Sequence, residues 1–183
     1  ILFSCLSLFI AQFSFGLPTT YDFSEKNAKN QISFHSKASV EDFEGRAEEL
    51  SGTLRLDSSS PNLNLSGSFY VPVKSMTTDL DMRDKHMKSS EWLNAEQFPT
   101  IQFDLSSLDA KSVKKINSQE WDVQGIGKFS MKGQTKEIQA PVKVRLKEDG
   151  VLISGSFTVR LSDFNIHGPA AMNMIGLKVS NDV

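Results

Sequence analysis

The strongest constraint on how this chain folds is the regularity with which apolar and polar residues take turns along it. Leu63, Leu65, Gly67, Phe69 and Val71 alternate with Asn64, Ser66, Ser68 and Tyr70. Trp121, Val123, Gly125, Gly127, Phe129 and Met131 alternate with Asp122, Gln124, Lys128 and Ser130, Ile126 being the exception. Ile32, Phe34, Ser36 and Ala38 oppose Gln31, Ser33, His35 and Lys37, and Ile101, Phe103 and Leu105 oppose Thr100, Gln102 and Asp104. Ile138, Ala140, Val142, Val144 and Leu146 make another such run, and Val151, Ile153, Gly155, Phe157 and Val159 the next. A period of two sends successive side chains to opposite faces of a sheet, so each run predicts a strand with one face buried.

Shorter signals complete the set. Tyr21 to Ser24 is a brief strand, Phe43 to Leu56 a long one, and Leu177 to Val183 begins a last one. Ser58 to Asn62, with Pro61, is a turn, as are Lys132-Gly133-Gln134-Thr135 and Asp149-Gly150. Ser106 to Glu120 reads as a polar loop or hairpin tip, and Asp163 to Pro169 as irregular chain. The total is about eight strands, which suits either a sandwich or a barrel.

The main interruption is Val71 to Phe103. Thr77 to Leu93 is rich in Asp, Met, Arg, Lys and Glu and predicts a helix, with Thr77 or Thr78 as N-cap and Asp79 and Asp81 in its first turn. Leu80 and Met87 share one side while Met82 and Leu93 fall nearly opposite, so no apolar stripe runs its length. Ser89 and Ser90 cap a second short piece carrying Trp92 and Leu93, and Pro99 ends any helix. This connection is expected to close one end of a barrel.

The inward faces mix large rings (Phe34, Phe69, Phe103, Phe129, Phe157) with missing side chains (Gly52, Gly67, Gly125, Gly127, Gly155). That mixture has two readings. Either the glycines let the sheet bend and the rings fill the gap, or the rings line a space that one small ligand occupies.

The 183 residues suit one domain with a sizeable core. The net charge of -2 and pI of 5.9 argue against nucleic acid or an anionic membrane surface as the main partner. The single cysteine, Cys5, permits no internal disulfide. Ile1 to Gly16 holds no charge and ends in Ser14-Phe15-Gly16, which predicts a signal peptide incomplete at its N-terminus, followed by one domain over 17–183. The segment falls short of the ~20 apolar residues that span a bilayer. Cys5 lies too early in the apolar run for a lipoprotein cleavage site. Periplasmic or secreted localisation follows as an expectation.

Enzyme signatures are lacking. His35, His86 and His167 are far apart and have no metal-ligand spacing, and the sequence has no G-x-S-x-G and no phosphate loop. The most enzyme-like cluster is Arg83, Asp84 and His86. Its better reading is structural: Arg83 pairs with a carboxylate or with strand-end carbonyls, and Asp84 accepts from nearby backbone donors. Head-group contact is the second reading for Arg83 and His86. Met82, Met87 and Trp92 suit either core or the lining of a flexible apolar ligand.

The motifs in order carry a family resemblance. They are Ile32-Ser33-Phe34-His35, Phe43-Glu44-Gly45, Met82-Arg83-Asp84-Lys85-His86-Met87 with Ser89, and Phe98-Pro99-Thr100-Ile101-Gln102-Phe103. Gly127 to Thr135 and Arg160 with Asp163-Phe164-Asn165-Ile166 follow. Over Tyr21 to Val183 the chain resembles the YceI family of bacterial secreted, lipocalin-like proteins. The resemblance implies an all-β, eight-stranded antiparallel barrel with a short helical connection between strands. It also implies a long apolar interior that binds polyisoprenoid chains, such as quinone-type or polyprenyl lipids, with no cofactor-dependent chemistry. Asn165 stands where the family usually has glycine, and asparagine tolerates a left-handed backbone better than most residues. The family's last strand runs past Val183, so the chain looks truncated there and closure of the barrel is the expectation at risk.

The expected ligand lining is Phe34, Leu54, Phe69, Met82, Met87, Phe103, Phe129, Val142 and Phe157, with Arg83 and His86 near the head group. The alternative is a secreted structural or stress-related module with a packed core that acts through its surface. An exposed strand edge would let two copies pair as a homodimer.

Overall fold

The computed structural model describes residues 18–24, 30–37, 43–57, 63–148, 150–167 and 174–181. The expected leader, Cys5, the turn at Pro61 and Asp149 lie outside these residues. Twelve strand segments are present among them: β1 Thr19–Asp22, β2 Asn30–Lys37, β3 Phe43–Ala47, β4 Ser51–Asp57, β5 Asn64–Pro72, β6 Met76–Thr77, β7 Thr100–Leu108, β8 Lys114–Lys115, β9 Glu120–Met131, β10 Gln134–Lys147, β11 Gly150–Val159 and β12 Met174–Asn181. One helix, α1 Asp81–Lys88, lies between β6 and β7.

The twelve segments make eight strands, because four of the strands are interrupted once. β3 pairs with β2 and β6 while β4 pairs with β1 and β5, so each of these pairs of segments is one broken strand. β7 and β8 both pair with the same side of the molecule's longest hairpin, on β9. All neighbours are antiparallel, and the order continues β7, β9, β10, β11, β12. β12 then pairs with β2, which returns the ladder to its start. The result is the expected all-β antiparallel barrel. Its closing strand begins at Met174, ahead of the predicted Leu177, and completes the circuit through Asn181.

The predicted long strand from Phe43 to Leu56 is broken at 48–50, and a 3-10 turn at Val73–Ser75 breaks the strand beside it. The two irregularities meet: the Glu48 N–H donates to the Ser75 carbonyl at 3.1 Å. The predicted loop from Ser106 to Glu120 contains the end of β7 and the two residues of β8. The β9–β10 hairpin turns at Lys132 and Gly133, with φ of 47° and 72°. Both central residues of a type I′ turn need positive φ, and its twist matches that of the flanking strands.

The expected short helical connection is α1, within the Thr77 to Leu93 stretch, but its start differs from expectation. Thr77 and Thr78 do not cap α1, whose N-cap is Leu80 without a side-chain hydrogen bond. Both hydroxyls are instead donated to Asp84. Asp79, predicted for the first helical turn, has φ of 60° and lies before the helix. After α1 the chain makes turns rather than the second capped piece expected: the Ser89 carbonyl accepts from the N–H groups of Trp92 and Asn94 at 3.1 and 2.8 Å, while its hydroxyl is buried without a hydrogen-bond partner among the described residues. Asn165 has φ 55° and ψ 35°, the left-handed conformation that its replacement of glycine led us to expect.

Two apolar clusters fill the barrel. The upper one, at the end carrying α1 and the β9–β10 hairpin, includes Phe34, Val73, Met76, Leu93, Phe129 and Phe164. The lower one includes Leu54, Leu56, Leu65, Trp121, Val123 and Val144. Each fully buried side chain of this kind contributes roughly 1.5–3 kcal/mol. Alternation is strict on β9, where Trp121, Val123, Gly125, Gly127, Phe129 and Met131 are buried and their neighbours are not.

One seam departs from regular pairing. β10 pairs with β11 only from Val142 to Lys147. Above that point β11 pairs with β12, and no described strand lies beside Gln134 to Pro141 on that side. The ladder stops at Pro141, which has no N–H to donate, and next to Gly155, where a Cβ would lie 2.9 Å from the Pro141 carbonyl. The 3-10 turn Leu161–Phe164 packs against β10 there.

Candidate functional site

Directly opposite residues in an antiparallel pair point to the same face. The registers therefore trace the interior in rows. One row runs Gly52, Phe69, Phe103, Phe129: each is the direct partner of the next across β4, β5, β7 and β9. The row below alternates large with absent side chains: Leu54, Gly67, Leu105, Gly127, Ile138. A third joins Phe157 to Phe34 and Gly45 through the backbone position of Leu177. Val142 lies opposite Val123 and Gly155.

Glycine in these rows makes seats for rings. A Cβ at Gly45 would lie 2.2 Å from the tip of the Phe34 ring. At Gly127 it would come within 2.7 Å of the Phe103 ring and 2.5 Å of the Asp104 carbonyl. The rings also touch one another. Phe129 meets Phe157 edge-on at 5.2 Å and Phe164 at 5.5 Å, and Phe103 meets Phe157 at 5.7 Å.

Filling is uneven. Phe129 and Leu54 are 1% exposed, and Phe34 is buried. Phe69, Phe103, Phe157, Val71 and Ile153 also face inward, yet all are only half-buried, as are Gly67 and Gly155 between them. An inward side chain keeps accessible surface only where space adjoins it. These residues share the middle level of the barrel, a waist between the two clusters, and Phe103 packs against both.

The structure thus puts seven of the expected lining residues on inward faces: Phe34, Leu54, Phe69, Phe103, Phe129, Val142 and Phe157. Met87 is half-buried against the upper cluster. Met82 departs from expectation. It is 86% exposed, because α1 buries none of its residues fully and turns this side chain to solvent. It lines nothing in the interior.

The polar groups of the connection are tied to the wall. The Asp84 carboxylate accepts from the Thr78 N–H at 2.8 Å and from the Thr77 and Thr78 hydroxyls at 2.6 and 2.7 Å. Burial pushes this carboxyl up, but the three hydrogen bonds outweigh it and hold it below the ordinary carboxylate range. Arg46 grips Asp79 through two hydrogen bonds of 2.6 and 2.9 Å, which lowers the Asp79 carboxyl as well. Arg83 lies with its guanidinium 4.5 Å from the centre of the Phe43 ring. His86 is exposed, and its Nε2 accepts from the Trp92 indole at 3.0 Å. The cluster that looked most enzyme-like is therefore a clasp between the connection and the wall. On the same end the Lys132 ammonium donates to the Glu91 and Asn165 carbonyls, both at 3.2 Å, and its burial lowers its proton affinity.

Leu161, Phe164 and Ile166 are buried residues of the upper cluster that alternation did not flag. Their spacing of three and two fits neither strand nor helix; three apolar residues in a short polar stretch was the available signal. Among the described residues no group of His, Cys, Asp and Glu is arranged to hold a metal ion, and no helix is long and apolar enough to cross a membrane.

Comparison with known proteins adds a family. A model described as the YceI-like domain matches residues 23–183. A Salmonella arizonae protein named Protein YceI is 28% identical over 141 residues, covering 71% of this chain and 68% of its own. A Pseudomonas aeruginosa UPF0312 protein is 26% identical over 139 residues with the same coverage. Among solved structures, Burkholderia cenocepacia BcnA superposes with a TM-score of 0.68 at 19% identity, covering 82% of this chain and 94% of BcnA. A domain from Saccharophagus degradans, described as polyisoprenoid binding and implicated in plant cell wall breakdown, gives 0.64 at 12% identity, over 85% of this chain and 97% of its own.

Proposed function

From the premise that the chain belongs to the YceI-like family, we propose that it binds a long apolar, isoprenoid-type lipid in the barrel interior and catalyses no reaction on it. The observation that carries this reading is the waist: inward rings of Phe69, Phe103 and Phe157 that keep accessible surface between two well-packed clusters. Hydrocarbon placed there leaves water, at ~0.8 kcal/mol per CH₂. Apolar rings accept a chain of methyl-bearing units without any directional bond. The polyisoprenoid-binding description of the Saccharophagus degradans domain supports the same ligand class, polyprenyl or quinone-type.

Arg83 and His86, the expected head-group residues, are engaged at the outer clasp, so the waist supplies the affinity. We place the protein in the periplasm or outside the cell on the strength of its uncharged apolar Ile1–Gly16 segment. The test is to purify the protein from its own host and analyse the extracted lipid by mass spectrometry. An apolar chain recovered in near-stoichiometric amount is the expected result; protein that carries no lipid and binds none added back overturns it.

A further inference from the structure

We propose that a groove on the outer wall of the barrel, across β8, β9, β10 and β11, is a second binding site, for a small anion that also carries hydroxyl groups. The proposal is independent of the lipid-binding reading, because the groove lies on the face that alternation turns away from the interior.

The groove holds about 390 Å³, within the ~300–1,000 Å³ usual for small-ligand sites. Across it runs a row of four direct partners, Lys114, Asp122, Lys143 and Ser154, one from each strand. Direct partners point to the same face, and in β9 and β10 that face is opposite to the buried Val123 and Val142. The loop before β8 lines one side through Ser112. It is pinned to β9 where the Gln124 N–H donates to the Ser112 hydroxyl oxygen at 2.7 Å and the Asp109 N–H to the Gln124 carbonyl at 2.9 Å.

The charged groups of the row are left open. Asp122 is half-buried, yet among the described residues its carboxylate has neither a hydrogen bond nor an ion pair. Lys114 and Lys143 flank it as cross-strand partners, and neither closes onto it. The next pair along the same face behaves differently: Glu120 and Arg145 are direct partners too, and their side chains meet at 2.9 Å. Lys143 helps to lower the Glu120 carboxyl from a distance, after Arg145, but makes no bond to it.

The groove therefore offers two ammonium groups against one carboxylate. An anionic group accepts from the lysines, each of which has three donors. Asp122 between them needs a donor, since a carboxylate half out of water without a partner costs free energy. A simple anion would set like charge against Asp122. A neutral polyol would leave both lysines unused, and an amino acid brings a donor but no net charge to match the excess cation. A sugar acid or sugar phosphate satisfies all three groups, with its hydroxyls also in reach of Ser154 and Gln124, which line the same groove.

The test titrates glucuronate and glucose 6-phosphate, in separate arms, into the isotope-labelled full chain at low salt and follows the backbone amide signals. Glucose, which lacks the charge, and acetate, which lacks the hydroxyls, are the comparison probes. At least one of the two hydroxylated anions is expected to shift the signals of Asp122, Lys143 and Ser154 saturably. It should bind about tenfold more tightly than glucose or acetate, the scale of one charge-assisted hydrogen bond. Lys143→Gln should lose about that factor, and Asp122→Asn should narrow the gap to acetate by removing the repulsion. Lys128→Gln, on the outer face beyond the groove, should change neither. All three variants are expected to keep the wild-type melting temperature. No saturable shift with either hydroxylated anion, equal binding of glucose or acetate, or an affinity that survives Lys143→Gln overturns the proposal.

Discussion

The upper end of the barrel and its waist are made of the same residues and packed to different degrees. At the upper end Phe129, Val73, Leu161 and Phe164 are each 1% exposed, and the connection adds Leu93 and Ala95 above them. At the waist, rings of the same kind face the same way and stay half-buried. The difference comes from what surrounds them. The upper rings have a lid, the segment from α1 to Phe98 and the turn Leu161–Phe164, and the waist rings lie below it. Apolar patterning therefore fixes which face is inward, while the lid decides how closely the rings under it are packed.

Two alanine substitutions test this contrast first. Phe129→Ala should cost about 3–5 kcal/mol, because its ring is fully enclosed and the cavity cannot collapse. Phe157→Ala, at the waist, should cost less than half as much, since part of its surface already adjoins open space. Denaturant unfolding of both variants gives the comparison directly, and equal losses would erase the distinction between the two regions.

The clasp comes next in size. Asp84→Ala removes three hydrogen bonds and should cost about 2 kcal/mol. The carboxyl is lowered in the folded state, so its stabilisation is complete above about pH 4 and disappears as pH falls through the folded value. The stability gap between wild type and Asp84→Asn should accordingly narrow on acidification. A gap that widens would show that the clasp holds the lid by some other means.

The smallest change in stability is expected from Phe157→Trp, within about 1 kcal/mol if space adjoins the ring, against roughly 1–3 kcal/mol for overpacking a filled core. The same variant should take up less lipid. Thermal melts and lipid titrations on one preparation measure both, and a strongly destabilised protein would mean that the waist is already full.

Much of this was readable before any coordinates. The alternating runs located most of the strands and the inward face of each, because a period of two is a direct consequence of the pleat. The family motifs supplied the barrel and left Asn165 to be explained. What escaped was local. The break after Ala47 follows from how β3 and β4 meet different partners, a matter of registers that no single strand displays. Met82 was misplaced because α1 has no apolar stripe to say which side turns inward. Thr77 and Thr78 looked like caps, and the competing acceptor, Asp84, lies six or seven residues away.

The central claim is that the waist holds space lined by apolar groups. Crystals pressurised with xenon test it without reference to any lipid, since xenon enters dry apolar cavities. Anomalous density among Phe69, Phe103 and Phe157 is the predicted result. Crystals that take up no xenon inside the barrel at pressures that load control cavities would contradict it.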